Sequence, residues 1–332
     1  MVSLDCFASQ SLDTVTMAWN ISASLALLYL ILYATLLIHL LVLYGKQKIS
    51  IRSRFTFVTF HVLIRLASQA TGLAFALAGY SNVGLLIAYF ILGAEGYFTL
   101  VLCAYRFLIV WHQAHFRSRE SWLEPKRPAG EKWWRTTLGA LVPYVPGERL
   151  RPMGFIHSYL VVANTLIIVG GTMLSRGSGD SEGFESDLQR IQTSKILRTV
   201  GQAIFLIINI ALLSAILMTA YQARVESNRQ EEDEETSNYP HPTLIILLIV
   251  WPLLIVRGLY GLLSPFVDPF NYFVPDNYDS HGLTLKFITY EYVLGTTMEW
   301  LSCALLIGTW WTEKWPGLVQ TVQESDKKAI QN

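Results

Sequence analysis

Five ionisable residues stand in otherwise apolar surroundings: Glu95 in "LGAEGYFTL", Arg65 in "HVLIRLASQ", Arg257 in "WPLLIVRGLYG", and Glu291 and Glu299 in "YEYVLGTTMEW". His61, four residues before Arg65, is a further titratable group in the same kind of setting. A charge at the middle of a membrane-spanning helix costs about 2.5–3.5 kcal/mol on insertion scales, so such groups are normally turned inward and paired. A carboxyl without a cation is most stable there in its neutral form, and a neutral carboxylic acid in a dry site is what proton donation requires. The glutamates outnumber the central arginines three to two, so pairing leaves one acid over. These residue types offer general-acid chemistry inside a membrane. The competing reading is that the charges only hold helices together as buried ion pairs.

The elements that carry these groups follow from composition. Of 332 residues, 52% are hydrophobic and 15% charged, against roughly 25% charged in an ordinary soluble domain. The apolar residues gather into runs of roughly twenty, enough to cross about 30 Å of hydrocarbon at 1.5 Å per helical residue. The fold class expected is all-α, a polytopic bundle of seven transmembrane helices at about 21–44, 55–79, 83–110, 155–174, 200–221, 243–264 and 283–311. Residues 1–20 form an N-terminal tail and 312–332 a C-terminal one. Met1–Trp19 opens with polar and acidic residues, so no cleavable signal peptide is expected and the first span acts as its own signal.

Loop charge sets the expected orientation. "KQKISIRSR" after the first span is basic, as is the long loop after the third, whereas "SPFVDPFNYFVPDNYDSHG" between the sixth and seventh has three aspartates and no lysine or arginine. The N-terminus is then lumenal or outside and the C-terminus cytosolic. "SRGSGDSEGFESD", 175–187, has the composition of a disordered loop. The acidic "EEDEE" run reads as a solvated loop rather than a metal-binding motif. "ESWLEPKRPAGEKWWRTT" suits a segment resting on headgroups, and Asn20-Ile21-Ser22 is a glycosylation sequon close to the membrane. Cys6, Cys103 and Cys303 make no disulfide framework. Zero formal net charge excludes a strongly basic nucleic-acid binder.

Counting rise from the outer ends of the spans puts Arg257 at roughly 10 Å, Glu291 at roughly 12 Å and Glu95 at about 18 Å, with Arg65 at a comparable middle depth. The pairs expected are Arg257 with Glu291 and Arg65 with Glu95. Glu299 lies about 12 Å below Glu291, with no arginine at its own level and His61 the nearest candidate partner. Glu299 is thus the first choice for a proton donor and Glu95 the second. Tyr97, Trp251, Tyr260 and Trp300 could line a cavity and stabilise cationic character with their ring faces. They suit ordinary packing equally well. Pro252 should kink the sixth span and open room near Arg257.

In "GAEGYF", "VRGLYGLLSPF" and "YEYVLGTTMEW", set in seven helices with short loops, the chain resembles the fungal integral-membrane terpene cyclases of meroterpenoid biosynthesis. The resemblance covers the helical core. It implies an enzyme in which an intramembrane acid protonates an epoxide or alkene of an isoprenoid, followed by cyclisation in an aromatic-lined cavity. It implies no metal and no cofactor, a hydrophobic small-molecule substrate, pathway enzymes in the same membrane, and an endoplasmic reticulum location. Depth and pairing then assign Glu299 or Glu95 as donor, Glu291 with Arg257 as the orienting pair, and Arg65 as the group that tunes Glu95. The other classes are a seven-helix receptor and a lipid transporter. Against the receptor, Tyr105 stands where an acid would precede Arg106, and the seventh span lacks an Asn-Pro-x-x-Tyr pattern. Against the transporter, no inverted repeat is visible.

Overall fold

A computed structural model describes residues 20–51, 53–78, 82–116, 121–124, 152–173, 184–230, 242–272, 274–279 and 282–312. Its helices are α1 (Ile21–Gly45), α2 (Phe55–Ala78), α3 (Val83–His115), α4 (Pro152–Met173), α5 (Phe184–Gln230) and α6 (Pro242–Leu263). A composite last helix follows: α7 (Leu285–Tyr290), a π-helical segment (Glu291–Thr297) and α8 (Met298–Thr312). Among the described residues, six helices are long and apolar enough to cross a membrane, in α1 to α6. Their apolar side chains point outward as well as inward, with Ile38 60% and Ile207 65% exposed. In water such a surface would aggregate, and against lipid it costs nothing. The chain is a multi-pass membrane protein built from helices.

Sequence neighbours pack as spatial neighbours: α1 on α2, α2 on α3, α3 on α4, α4 on α5, α5 on α6, and α6 on α8. α3 also touches α5, α6 and α8, so it is the central helix. Its sequence explains why. From Leu100 to Ile109 it is apolar around almost the whole circumference, and nearly every side chain there is buried, as expected of a helix with neighbours on all sides.

Small residues and caps set the close approaches. On α5, a Cβ added at Gly201 would lie 2.6 Å from the Ala163 carbonyl of α4. The Ser194 hydroxyl donates to the Gly170 carbonyl across the same pair of helices, at 2.6 Å. Asn20, the residue of the sequon, accepts from the Ala23 N–H at 2.8 Å to cap α1 and donates to the Ala76 carbonyl at 3.1 Å. Its amide therefore ties the start of α1 to the end of α2.

Several expected boundaries move. α5 starts at Phe184, not near 200, and runs to Gln230, so residues 184–187 of the expected disordered loop are helical. The helix continues because Gln189–Val225 is itself apolar enough to span, and the polar stretch before it contains no proline or glycine to stop it. Pro252 lies inside α6, which continues to Leu263. The tails, most of 117–151, and the acidic run at 231–235 lie outside the described residues. Within 121–124, Leu123 is buried and Glu124 pairs with Arg106 at 2.5 Å. Between α6 and α7 the chain forms two 3-10 turns, Asp268–Phe270 and Pro275–Asn277, and a two-residue antiparallel ladder pairing Tyr278 with Leu283.

The α4–α5 contact can be checked directly. Gly201→Ala should lower stability by about 1–3 kcal/mol, because a carbonyl fixed in α4 cannot move aside. Gly171→Ala, where an added Cβ meets nothing within 4 Å, should leave stability unchanged or raise it. Thermal unfolding of the two variants in detergent reads the difference, and equal melting would show that α4 and α5 do not approach this closely.

Candidate functional site

Three helices bring their charges to one carboxylate. Arg65 Nε of α2 lies 2.9 Å from Glu299 Oε2, and Arg257 Nε of α6 lies 2.5 Å from Glu299 Oε1. The Glu299 side chain is wholly buried. Arg65 reaches it because α3 carries glycine at the crossing: a Cβ on Gly96 would fall 2.5 Å from Arg65 Cδ. Arg65 also stands 5.8 Å over the Tyr33 ring, and Arg257 5.1 Å over Tyr97 and 5.9 Å over Tyr260. In apolar surroundings such faces add to the stabilisation of a cation.

This overturns both expected pairs. Equal depth of backbone is the wrong criterion, because helical side chains lean toward the N-terminus of their helix. α6 and α8 run in opposite directions, so the long side chain of Arg257 and that of Glu299 lean toward each other. Glu299, expected to lack a cation, holds two. Glu95 misses Arg65 because Gly96, roughly 100° round the helix, is the residue that faces α2. Glu95 turns to α4 instead and accepts from Asn164 Nδ2 at 2.6 Å. His61 is not the partner of Glu299 by hydrogen bond: its Nδ1 lies 3.0 Å from Thr99 Oγ1.

Glu291 has a different environment. It accepts from the Tyr89 hydroxyl at 2.5 Å, the phenol of Tyr272 stands close by, and it makes no ion pair among the described residues. A phenol can donate to a carboxylate or accept from a carboxylic acid, so both protonation states of Glu291 have partners. Burial, and after it the nearby Glu291, pushes the Tyr272 phenol in the α6–α7 loop well above its ordinary range, so it remains a hydroxyl. The π-helical segment begins at Glu291. In a regular α-helix, positions 291 and 299 would sit roughly 80° apart round the axis. The wider turn, with Thr297 Oγ1 bonding back to the Tyr292 carbonyl at 2.7 Å, resets this register. Tyr29 of α1 holds the segment from outside, 2.5 Å from Thr297 Oγ1.

Glu291 and Glu299 both line a cavity of about 140 Å³ between α2, α3, α4, α5, α6 and the composite helix. Arg65 and Arg257 share its wall with the rings of Tyr89, Tyr97, Phe205 and Tyr260. Phe270 and Tyr272 join the lining from the α6–α7 loop. That loop is anchored by Asn277, whose amide donates to the carbonyls of Asp268 at 2.6 Å and Asn271 at 2.7 Å. Tyr272 packs edge-on against Phe90 and Phe287, each with centroids 4.4 Å apart.

Of the residues expected at the site, Glu291, Glu299, Arg65, Arg257, Tyr97 and Tyr260 meet in this cavity, and Glu95 and His61 are not in its lining. Tyr97 is fixed there by donating to the Leu254 carbonyl at 2.9 Å and accepting from Asn209 at 2.8 Å. Trp251 and Trp300 are also outside the lining; Trp251 bonds the Asn209 carbonyl at 2.8 Å, which locks α6 to α5. Arg198 and Gln202 line the cavity unforeseen, because the expected span began at residue 200 and an isolated amide carries no signal. Tyr272 was hidden in a loop whose aromatic content was the one hint of its burial. No family model matches the chain, and no curated protein or solved structure matches it either.

The triad can be separated from the chemistry by stability. Glu299→Gln leaves two buried guanidiniums without their shared charge and should cost about 3–5 kcal/mol. The triple change Arg65→Met, Arg257→Met, Glu299→Leu should recover most of that loss. Equilibrium unfolding in mixed micelles measures both, and a Glu299→Gln protein as stable as the parent would refute the structural role of the triad.

Proposed function

We propose that the protein is an integral-membrane enzyme acting on a lipid-soluble isoprenoid or meroterpenoid, a terpene cyclase started by proton transfer from an intramembrane glutamic acid. The observation that carries this reading is Glu291: a carboxyl held by phenols rather than by arginine, on the wall of an aromatic cavity inside the bundle. Glu299 is the weaker donor, since giving up or taking a proton there would disturb two arginines at once. In this reading Glu291 transfers its proton to an epoxide oxygen or an alkene carbon. As the C–O or π bond opens, electrons of a neighbouring alkene form the new ring bond. The last carbocation then loses a proton to the Glu291 carboxylate, so product and substrate are isomers and the acid is restored. Tyr89 and Tyr272 orient the carboxyl, and the faces of Tyr97, Phe205 and Tyr260 steady the cationic intermediates.

The same proposal includes membrane placement. The composite helix is the seventh crossing, the N-terminus is lumenal or outside and the C-terminus cytosolic, and the endoplasmic reticulum is the site of action. In support, Lys48 stands 5.7 Å over Trp310 and His39 stacks on Trp311, so basic and aromatic residues gather where α1 ends and α8 ends. That is the composition of a cytosolic interface.

Microsomes containing the protein should convert an epoxidised prenylated phenol to a cyclised isomer. Glu291→Gln should reduce turnover by roughly 100-fold or more at unchanged protein level. Full turnover by Glu291→Gln, or no conversion by the parent across such substrates, would reject the assignment.

A further inference from the structure

The cavity has a polar corner that proton transfer at Glu291 does not use. It is formed where α5 meets α6, by Arg198 and Gln202 on one side and Tyr260 and Ser264 on the other. Gln202 and Tyr260 are each only 8% exposed. Neither Gln202 Oε1 nor the Tyr260 hydroxyl has a hydrogen-bond partner among the described residues. A buried polar atom left unsatisfied is costly, and native proteins keep few of them without a reason. Here the two residues that carry them belong to the lining of one cavity.

The corner is built rather than accidental. Gln202 comes down onto the backbone of α6 because residue 261 is glycine: a Cβ there would lie 2.6 Å from Gln202 Oε1. Ser264 donates to the Gly261 carbonyl at 3.1 Å and accepts from Arg198 Nη2 at 3.1 Å. The guanidinium is thereby held beside the amide. Tyr260 is wedged between Phe270, with centroids 5.4 Å apart, and the Gly295 backbone, so its hydroxyl has a defined place. The lining also has an aliphatic part, Ile87 and Ile91 of α3 and Ile167 and Ile168 of α4.

We infer that this corner binds the oxygenated head group of an amphiphilic isoprenoid, a hydroxyl next to an acceptor oxygen. The ligand hydroxyl donates to Gln202 Oε1, and its neighbouring oxygen accepts from the Tyr260 hydroxyl with the positive charge of Arg198 close by. The hydrocarbon tail then occupies the aliphatic and aromatic part of the cavity. This deepens the cyclase reading and rests on it for the isoprenoid tail, but it concerns binding and can fail separately.

The test is a binding titration of the full-length protein in detergent micelles, followed by tryptophan fluorescence, with farnesyl-catechol and its dimethyl ether as probes. The parent should bind the catechol at least ten times more tightly than the ether. Gln202→Leu and Tyr260→Phe should each bring the two affinities to within about threefold by weakening binding of the catechol. Two variants on different helices guard against misfolding of either one. Equal affinity for the two probes in the parent, or full discrimination retained in both variants, would overturn the head-group site. Catechol discrimination without conversion in microsomes would uphold this site and reject the cyclase; conversion without discrimination would do the reverse.

Discussion

Two guanidiniums from different helices share one carboxylate at the centre of the bundle, and the position of each helix follows from that sharing. In a low-dielectric interior none of the three groups is tolerable alone. Arg65 fixes the rotation of α2, Arg257 that of α6, and Glu299 that of α8. Gly96 on α3 is the condition for the first arm, since any larger residue would push Arg65 off the carboxylate. The ion triad is thus a registry device, the role in which buried charges are best attested.

With the triad in place, the rest of the cavity is positioned by difference. Because Glu299 takes both arginines, Glu291 is left to the Tyr89 hydroxyl, with the Tyr272 phenol close by. The π-helical segment between the two glutamates lets one helix present both, an ion-paired acid on α8 and a phenol-bonded one nearer the α6–α7 loop. The α6–α7 loop contributes Phe270 and Tyr272 to the lining. One cavity therefore combines an anchored charge cluster, a carboxyl with exchangeable partners, and a polar corner on α5.

The helical class, the membrane-spanning runs and the set of unusual charges were all legible in the sequence, because burial of apolar surface and the price of an intramembrane charge are local properties. Pairing was not. Depth along the axis ignores the lean of side chains toward the helix N-terminus, and that lean brought Arg257 to Glu299 rather than Glu291. Azimuth was lost for a similar reason: one residue separates Glu95 from Gly96, yet they face different helices. A π segment leaves no mark in composition, and an uncharged Gln202 or a loop tyrosine cannot be distinguished from any other until its neighbours are known.

The division of labour proposed for the two glutamates is tested most directly by turnover in the triad-free background Arg65→Met, Arg257→Met, Glu299→Leu, with and without Glu291→Gln. Measurable cyclisation of the epoxidised prenylated phenol by the folded triad-free protein, abolished when Glu291→Gln is added, is the expected result. No turnover in the folded triad-free protein, or turnover that survives the loss of Glu291, would contradict it.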